Sequence, residues 1–165
     1  MKNIKSLVQA AVIGAIYAAL TLAFAPISFG HNIFQCRIAE ALTILPYFTP
    51  AAIPGLFVGC IVANIIGGFG IVDIIFGSLT TLIAAILSYK LRHHKLLVPF
   101  PPVILNAIIV GSYLYYIFLG ISEMNIQSIG IFGVMGWVAL GEILACYVLG
   151  YPLLLILEKY RKIFE

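Results

Sequence analysis

The chain has 165 residues, 63% of them hydrophobic and only 9% charged, with a formal net charge of +3 and a mean hydropathy of +1.15. Soluble domains carry roughly a quarter of their residues as charges, so this composition excludes a separate soluble catalytic domain, a nucleic-acid-binding module and a disordered tail. It points instead to one all-α integral membrane domain over residues 1–165, with the lipid bilayer as its solvent and its few basic residues at the ends of apolar runs.

Proline and glycine clusters divide the long uncharged runs, because Pro lacks a backbone donor and Gly relaxes the chain. They leave six expected helices at about 6–25, 35–47, 51–66, 71–90, 100–119 and 131–158. Lys2 and Lys5 ahead of the first run imitate a secretory leader, but the run is longer than a leader core and everything after it is equally apolar, so it reads as a span. On this helix Ala11, Ala15 and Ala19 recur every four residues beside Gly14 and Ala18. Such a smooth face lets another helix approach closely, either inside this bundle or on a separate membrane subunit.

The second helix carries Gln35, Arg37 and Glu40. Arg37 and Glu40 are three apart and share a face, which permits a local ion pair as well as a binding site. The second and third helices are short for full spans and are separated by the Pro46, Pro50 and Pro54 punctuation. Asn64, within the third, needs an interhelical partner or a ligand, because an amide in lipid must be satisfied. Asp73 follows Gly67-Gly68-Phe69-Gly70 and suits the amino end of the fourth helix, where the dipole favours negative charge. Next comes the basic segment Lys90-Leu91-Arg92-His93-His94-Lys95, whose histidines read as solvated.

On the fifth helix Asn106 and Tyr113 are seven apart and nearly on one face, while Tyr115 and Tyr116 fit an interfacial belt. Glu123 and Asn125 belong to a polar external loop. The last helix holds Trp137 and, five residues on and about 7 Å deeper at about 1.5 Å per residue, Glu142. A charge near the bilayer centre costs roughly 2.5 to 3.5 kcal/mol, so an intramembrane carboxylate is a candidate for function. It either accepts a ligand or pairs with Arg37, Tyr or Asn side chains for packing alone.

Cys36, Cys60 and Cys146 are widely spaced and odd in number, the pattern of small packing residues and not of a metal or disulfide framework. The sequence holds no phosphate-binding glycine loop, no paired metal-binding histidines and no serine elbow. An enzyme is therefore not expected, nor a cofactor or metal in this chain. A transporter built this way uses an ion gradient or borrows a motor. Six spans place both termini and residues 90–95 on the cytoplasmic side, together with eight of the nine basic residues; only Arg37 lies outside.

The stretches QCRIAEALTILPYFTPAAIPG at 35–55, NIIGGFGIVDIIFGSLTTLIAA from Asn64, PPVILNAIIVG at 101–111 and GEILACYVLG at 141–150 resemble the QueT family along nearly the whole chain. That resemblance implies a substrate-binding S component of an energy-coupling-factor (ECF) transporter: a six-helix membrane bundle in a prokaryotic plasma membrane that imports a queuosine precursor. It also implies a transmembrane coupling subunit, docked on a small-residue face such as Ala11, Ala15 and Ala19, and two cytoplasmic ATPases that hydrolyse the ATP. The ligand site expected from the residues comprises Glu142, Asn106, Gln35, Arg37, Glu40, Asn64, Tyr113 and Trp137. An autonomous ion-coupled transporter using an intramembrane carboxylate is the alternative.

The topology is checked with single cysteines placed at Ser122 and His94 in intact cells. A membrane-impermeant thiol reagent is expected to modify the first and spare the second.

Overall fold

The computed structural model describes residues 2–28, 36–119 and 126–164, and every regular element among them is helical. Helix α1 spans Lys2–Ala23 and is followed by a short turn, Ala25–Ser28. Helix α2 is a 3-10 helix, Ile38–Tyr47; α3 spans Ala52–Gly67, and α4 Asp73–Lys90. Helix α5 runs through Phe100–Leu105, Asn106–Val110 and Gly111–Leu119. Helix α6 runs through Ile126–Ile143, Leu144–Gly150 and Tyr151–Glu158. Four stretches, Ile4–Ala23, Asp73–Lys90, Lys95–Ile117 and Ile129–Glu158, are long and apolar enough to cross a membrane, while α2 and α3 are shorter apolar helices.

Helix α2 is the axis of the bundle. Residues 39–46 are all buried, Glu40 and Thr43 included. At about 2 Å of rise per residue a 3-10 helix of this length reaches about 20 Å, a third farther than the same residues in an α-helix. Pro46, inside its last turn, lacks the donor that an α-helical turn would use. Ala39, Leu42, Ile44 and Leu45 pack there against Ile13 and Tyr17 of α1, Leu56 and Cys60 of α3, Ala85 of α4 and Leu154 of α6.

Helices α1 and α3 meet backbone to backbone. A Cβ added at Gly59 would lie 2.6 Å from the Gly14 carbonyl oxygen, and one at Gly55 would lie 2.6 Å from that of Ala10. Gly55 and Gly59 thus form a small-residue pair, four apart, on which α1 rests by van der Waals contact. Helix α3 then stops at Gly68, whose φ of 66° is left-handed, with its N–H returned to the Asn64 and Ile65 carbonyls.

Four contacts gather the basic clusters at one end of the bundle. Lys95 Nζ pairs with Glu158 at 2.8 Å, and the Tyr47 hydroxyl donates to Glu158 at 3.0 Å. Gln9 Nε2 donates to the Phe164 carbonyl at 3.3 Å, with the Phe164 ring stacked on Phe48. The amino terminus, residues 90–95 and the carboxyl terminus therefore share a side. Replacing Gly59 by Ala forces a methyl group into the α1 backbone, and overpacking of this kind is expected to cost about 1–3 kcal/mol. Thermal unfolding in detergent should show the loss, whereas Gly136→Ala, with nothing within 4 Å of the added carbon, should show none.

A buried polar network as the candidate functional site

An apolar bundle of this size cannot leave polar side chains unpaired at low cost, so those it buries must satisfy one another or a ligand. The buried set includes Arg37, Glu40, Asn64, Asp73, Asn106 and Glu142, each no more than 6% exposed. Arg37 is the buried cation among the described residues, set against three buried carboxylates.

Arg37 stands just before α2 with φ −79° and ψ 82°, outside the helix. The shared-face expectation for Arg37 and Glu40 therefore fails, since it requires both residues to be helical. Arg37 Nη2 instead donates to Asp73 Oδ1 at 2.7 Å. The Tyr113 hydroxyl donates to the same oxygen at 2.6 Å, and Arg37 Nη2 lies 3.3 Å from that hydroxyl. Asp73 is in the first turn of α4, as its sequence position suggests, but its carboxylate serves this cluster of α2, α4 and α5. Gly77 lines this cluster: a Cβ there would stand in ordinary contact, 3.5 Å, with both Arg37 Nη1 and Asp73 Oδ1.

The network continues inward through α3. Asn64 Nδ2 donates to the Asp73 carbonyl at 2.8 Å and approaches the Ser78 hydroxyl at 3.4 Å and Cys60 Sγ at 3.5 Å. Thr81 bridges Cys60 Sγ, at 3.7 Å, and Glu40 Oε1, at 2.8 Å. Tyr17, from α1, donates to the same Glu40 oxygen at 2.5 Å. On the far side Cys146 Sγ lies 3.6 Å from the Glu40 carbonyl and 3.6 Å from Glu142 Oε2. All six helices thus contribute to one chain of polar contacts that runs from Tyr113 to Glu142.

The expected site residues divide accordingly. Glu142, Glu40, Arg37, Asn64 and Tyr113 are brought into this network. Asn106 is fully buried on α5 and its Nδ2 donates to the Pro102 carbonyl of its own helix at 3.0 Å. Trp137 is 45% exposed and shares an outward face with Leu140 and Leu144. Gln35, Ser122, Glu123 and Asn125 lie outside the described residues. Cys60 and Cys146 do more than fill space, because each sulfur touches charged or amide groups. Tyr17, Cys60, Ser78, Thr81 and Cys146 were not expected in the site; a hydroxyl or thiol in the middle of an apolar run was the available signal.

Four buried oxygens have no hydrogen-bond donor among the described residues: Glu40 Oε2, Asn64 Oδ1, Asn106 Oδ1 and Glu142 Oε1. They are acceptors from four different helices. The polar interior also coincides with widened turns, since α4, α5 and α6 each contain a π-helical stretch, at Asp73–Gly77, Asn106–Val110 and Leu144–Gly150. Such bulges displace the side chains that follow and recur at functional sites.

The alanine face on α1 points outward. Ala11, Ala15 and Ala19 are exposed, while Gly14 and Ala18 are buried. Ala11 and Ala15 line an apolar groove of about 440 Å³ with Leu7, Pro54, Val58 and Val62.

A helical, lipid-compatible shell around a continuous polar interior defines an integral membrane protein of the transporting type. The profile of the QueT transporter family matches residues 7–159, and the chain belongs to that family. It is accordingly a membrane transport protein and not an enzyme. No curated protein and no solved structure matches it.

Asp73→Asn removes the carboxylate charge 2.7 Å from the buried Arg37 guanidinium, and breaking a buried pair in this way is expected to cost about 3–5 kcal/mol. Adding Arg37→Gln to that variant removes the second charge and should recover part of the loss, which a double-mutant cycle of unfolding midpoints will read.

Proposed function

We propose that the chain is the membrane-embedded substrate-binding subunit, or S component, of an energy-coupling-factor importer, and that its ligand is a queuosine precursor built on a deazaguanine base. It spans a prokaryotic plasma membrane six times with both termini cytoplasmic, so that the end holding residues 90–95 faces inward. The observation that supports this reading most directly is the surplus of buried acceptors. A deazaguanine presents adjacent N–H donors on its base-pairing edge, and a carboxylate accepts two such donors in a forked geometry.

Glu142 suits that fork, because one of its oxygens has no donor among the described residues and the other meets only a thiol at 3.6 Å. Asn106 and Asn64 offer carbonyl oxygens for the remaining donors. Tyr113 supplies a ring wall held in place by Asp73 and Arg37. Trp137, being on an outward face, is assigned to the membrane interface and not to ring stacking.

Transport requires a motor, and the exposed groove at Ala11 and Ala15 is suited to a helix of a transmembrane coupling subunit. Between helices in lipid there is little hydrophobic drive, so close backbone approach over small residues supplies the attraction. Two cytoplasmic ATPases attached to that subunit hydrolyse ATP, and this chain needs no cofactor of its own. The alternative, an autonomous ion-coupled carrier, draws on the two buried carboxylates Glu40 and Glu142.

Uptake of a deazaguanine precursor in cells with and without the coupling subunit and ATPases decides between them, with transport by the chain alone overturning the proposal. Ala15→Trp fills the groove and is expected to abolish uptake while purified protein still binds ligand. Glu142→Gln sets an amide donor against a ligand donor and should weaken calorimetrically measured affinity about ten- to hundred-fold. Its melting temperature should be unchanged or higher, because a buried charge has been removed.

A further inference from the structure

Helix α1 serves two environments at once, and Tyr17 connects them. Its outer side forms one wall of the apolar groove, where Ala11, Ala15 and Ala18 face Pro54, Val58 and Val62 of α3. Its inner side buries Ile13, Tyr17 and Thr21. Both walls of the groove belong to α1 and α3, so its shape follows from how these two helices cross. The crossing is backbone against backbone at Gly14, Gly55 and Gly59. Such a contact holds helices close by van der Waals attraction, but it offers few interdigitated side chains to fix one helix against small shifts of the other.

Polar contacts supply that restraint. Among the described residues α1 is joined to other elements by side-chain hydrogen bonds at Gln9 and at Tyr17, about 12 Å apart along the helix. Tyr17 packs in one core with Leu56 and Cys60 of α3 and is 2% exposed. Its hydroxyl donates to Glu40 Oε1 at 2.5 Å, and Thr81 donates to the same oxygen at 2.8 Å. Glu40 Oε2 is buried with no donor among the described residues. A carboxylate spreads one charge over both oxygens, so a molecule that donates to Oε2 weakens and re-aims the charge-assisted bonds at Oε1. Tyrosine has only two side-chain torsions, which pass such a shift to the α1 backbone with little slack.

We infer that Tyr17 is a positioning residue that couples occupancy of the interior to the shape of the groove. Through its hydrogen bond to Glu40, a molecule bound inside resets the crossing of α1 on α3, and with it the surface offered to the coupling subunit. This rests on the binding-subunit reading above and adds the route by which the two sites communicate. The coupling is reciprocal: a helix seated in the groove changes the affinity of the interior by the factor by which the bound molecule changes docking.

The test places an environment-sensitive bimane label on Val58→Cys, in the groove, and in a second protein on Val148→Cys, which is exposed on α6 away from it. The native cysteines are buried, and unsubstituted protein is the labelling blank. Purified full-length protein is titrated with 7-aminomethyl-7-deazaguanine and with 7-cyano-7-deazaguanine, and the tighter binder by calorimetry serves as the probe. The Val58 label is expected to show a saturable emission shift with its midpoint at the calorimetric Kd, and the Val148 label none. Tyr17→Phe keeps the ring and removes the hydroxyl; it should abolish the shift while affinity stays within about tenfold of wild type. Thr21→Val deletes a buried hydroxyl of the same helix that bonds only the Tyr17 carbonyl, and should keep the shift. No shift at Val58 on binding, an equal shift at Val148, or a shift that survives in Tyr17→Phe would overturn the inference while leaving the binding-subunit reading in place. Binding of neither compound overturns the deazaguanine reading and the inference with it. The comparison of the two labels decides even if Tyr17→Phe does not fold.

Discussion

The structure depends on how one buried arginine and three buried carboxylates are accommodated in a bundle with an apolar exterior. Arg37 and Asp73 neutralise each other at 2.7 Å with Tyr113 closing the triangle, and that pairing ties α2, α4 and α5 together. Glu40 and Glu142 are in no ion pair among the described residues; Tyr17 and Thr81 donate to Glu40, and the Cys146 thiol lies 3.6 Å from Glu142. A bundle selected for stability alone would replace such groups by packed hydrophobic residues, because burying an ion pair seldom gains more than an apolar equivalent. Here they remain polar, and four of their buried acceptor oxygens have no donor among the described residues.

Backbone geometry and side-chain chemistry are coupled in this interior. A regular α-helix presents residues at fixed angular intervals, and a π-helical turn shifts the face on which later residues fall; Asp73 and Asn106 open such stretches, and Glu142 stands just before one. The π-helical stretches in α4, α5 and α6 insert the angular offset next to those residues. The 3-10 geometry of α2 does the complementary task of stretching a short segment along the axis, so that Arg37 lies at one end and Tyr47, bonded to Glu158, at the other. Gly130, with φ 69° and ψ 167°, breaks the long final helix at a conformation that essentially only glycine adopts.

The outer surface divides by the same logic. Most of α1 presents Leu7, Val8, Val12 and Ile16 to lipid, but its contact with α3 is made by glycines, and the alanines beside that contact stay exposed. Because a methyl group is the largest projection on that strip, the backbones of α1 and α3 form the floor of the groove. Main chain is therefore exposed at short range there, and Ala11, Ala15 and Ala19 remain outside the packed interior of the bundle.

Much of the architecture is written in local chemistry. Composition alone required a helical membrane protein, and the Pro and Gly clusters marked the breaks, because Gly68 and Gly130 adopt backbone angles that other residues resist. The polar residues stranded in apolar runs, Glu142, Glu40, Asn64 and Asn106, could be singled out from their cost in lipid. Sequence could not say which of them meet, since Arg37 and Asp73 are 36 positions apart and Glu40 and Cys146 are 106 apart, and such pairings arise only when helices cross. Sequence spacing permitted an Arg37–Glu40 ion pair as well as a binding site; the structure pairs Arg37 with Asp73 and places Arg37 outside the helix whose periodicity that spacing assumed. Likewise the alanine stripe was legible, but its outward orientation was decided by Gly55 and Gly59 on α3, which draw Gly14 and Ala10 inward and turn Ala11 and Ala15 away.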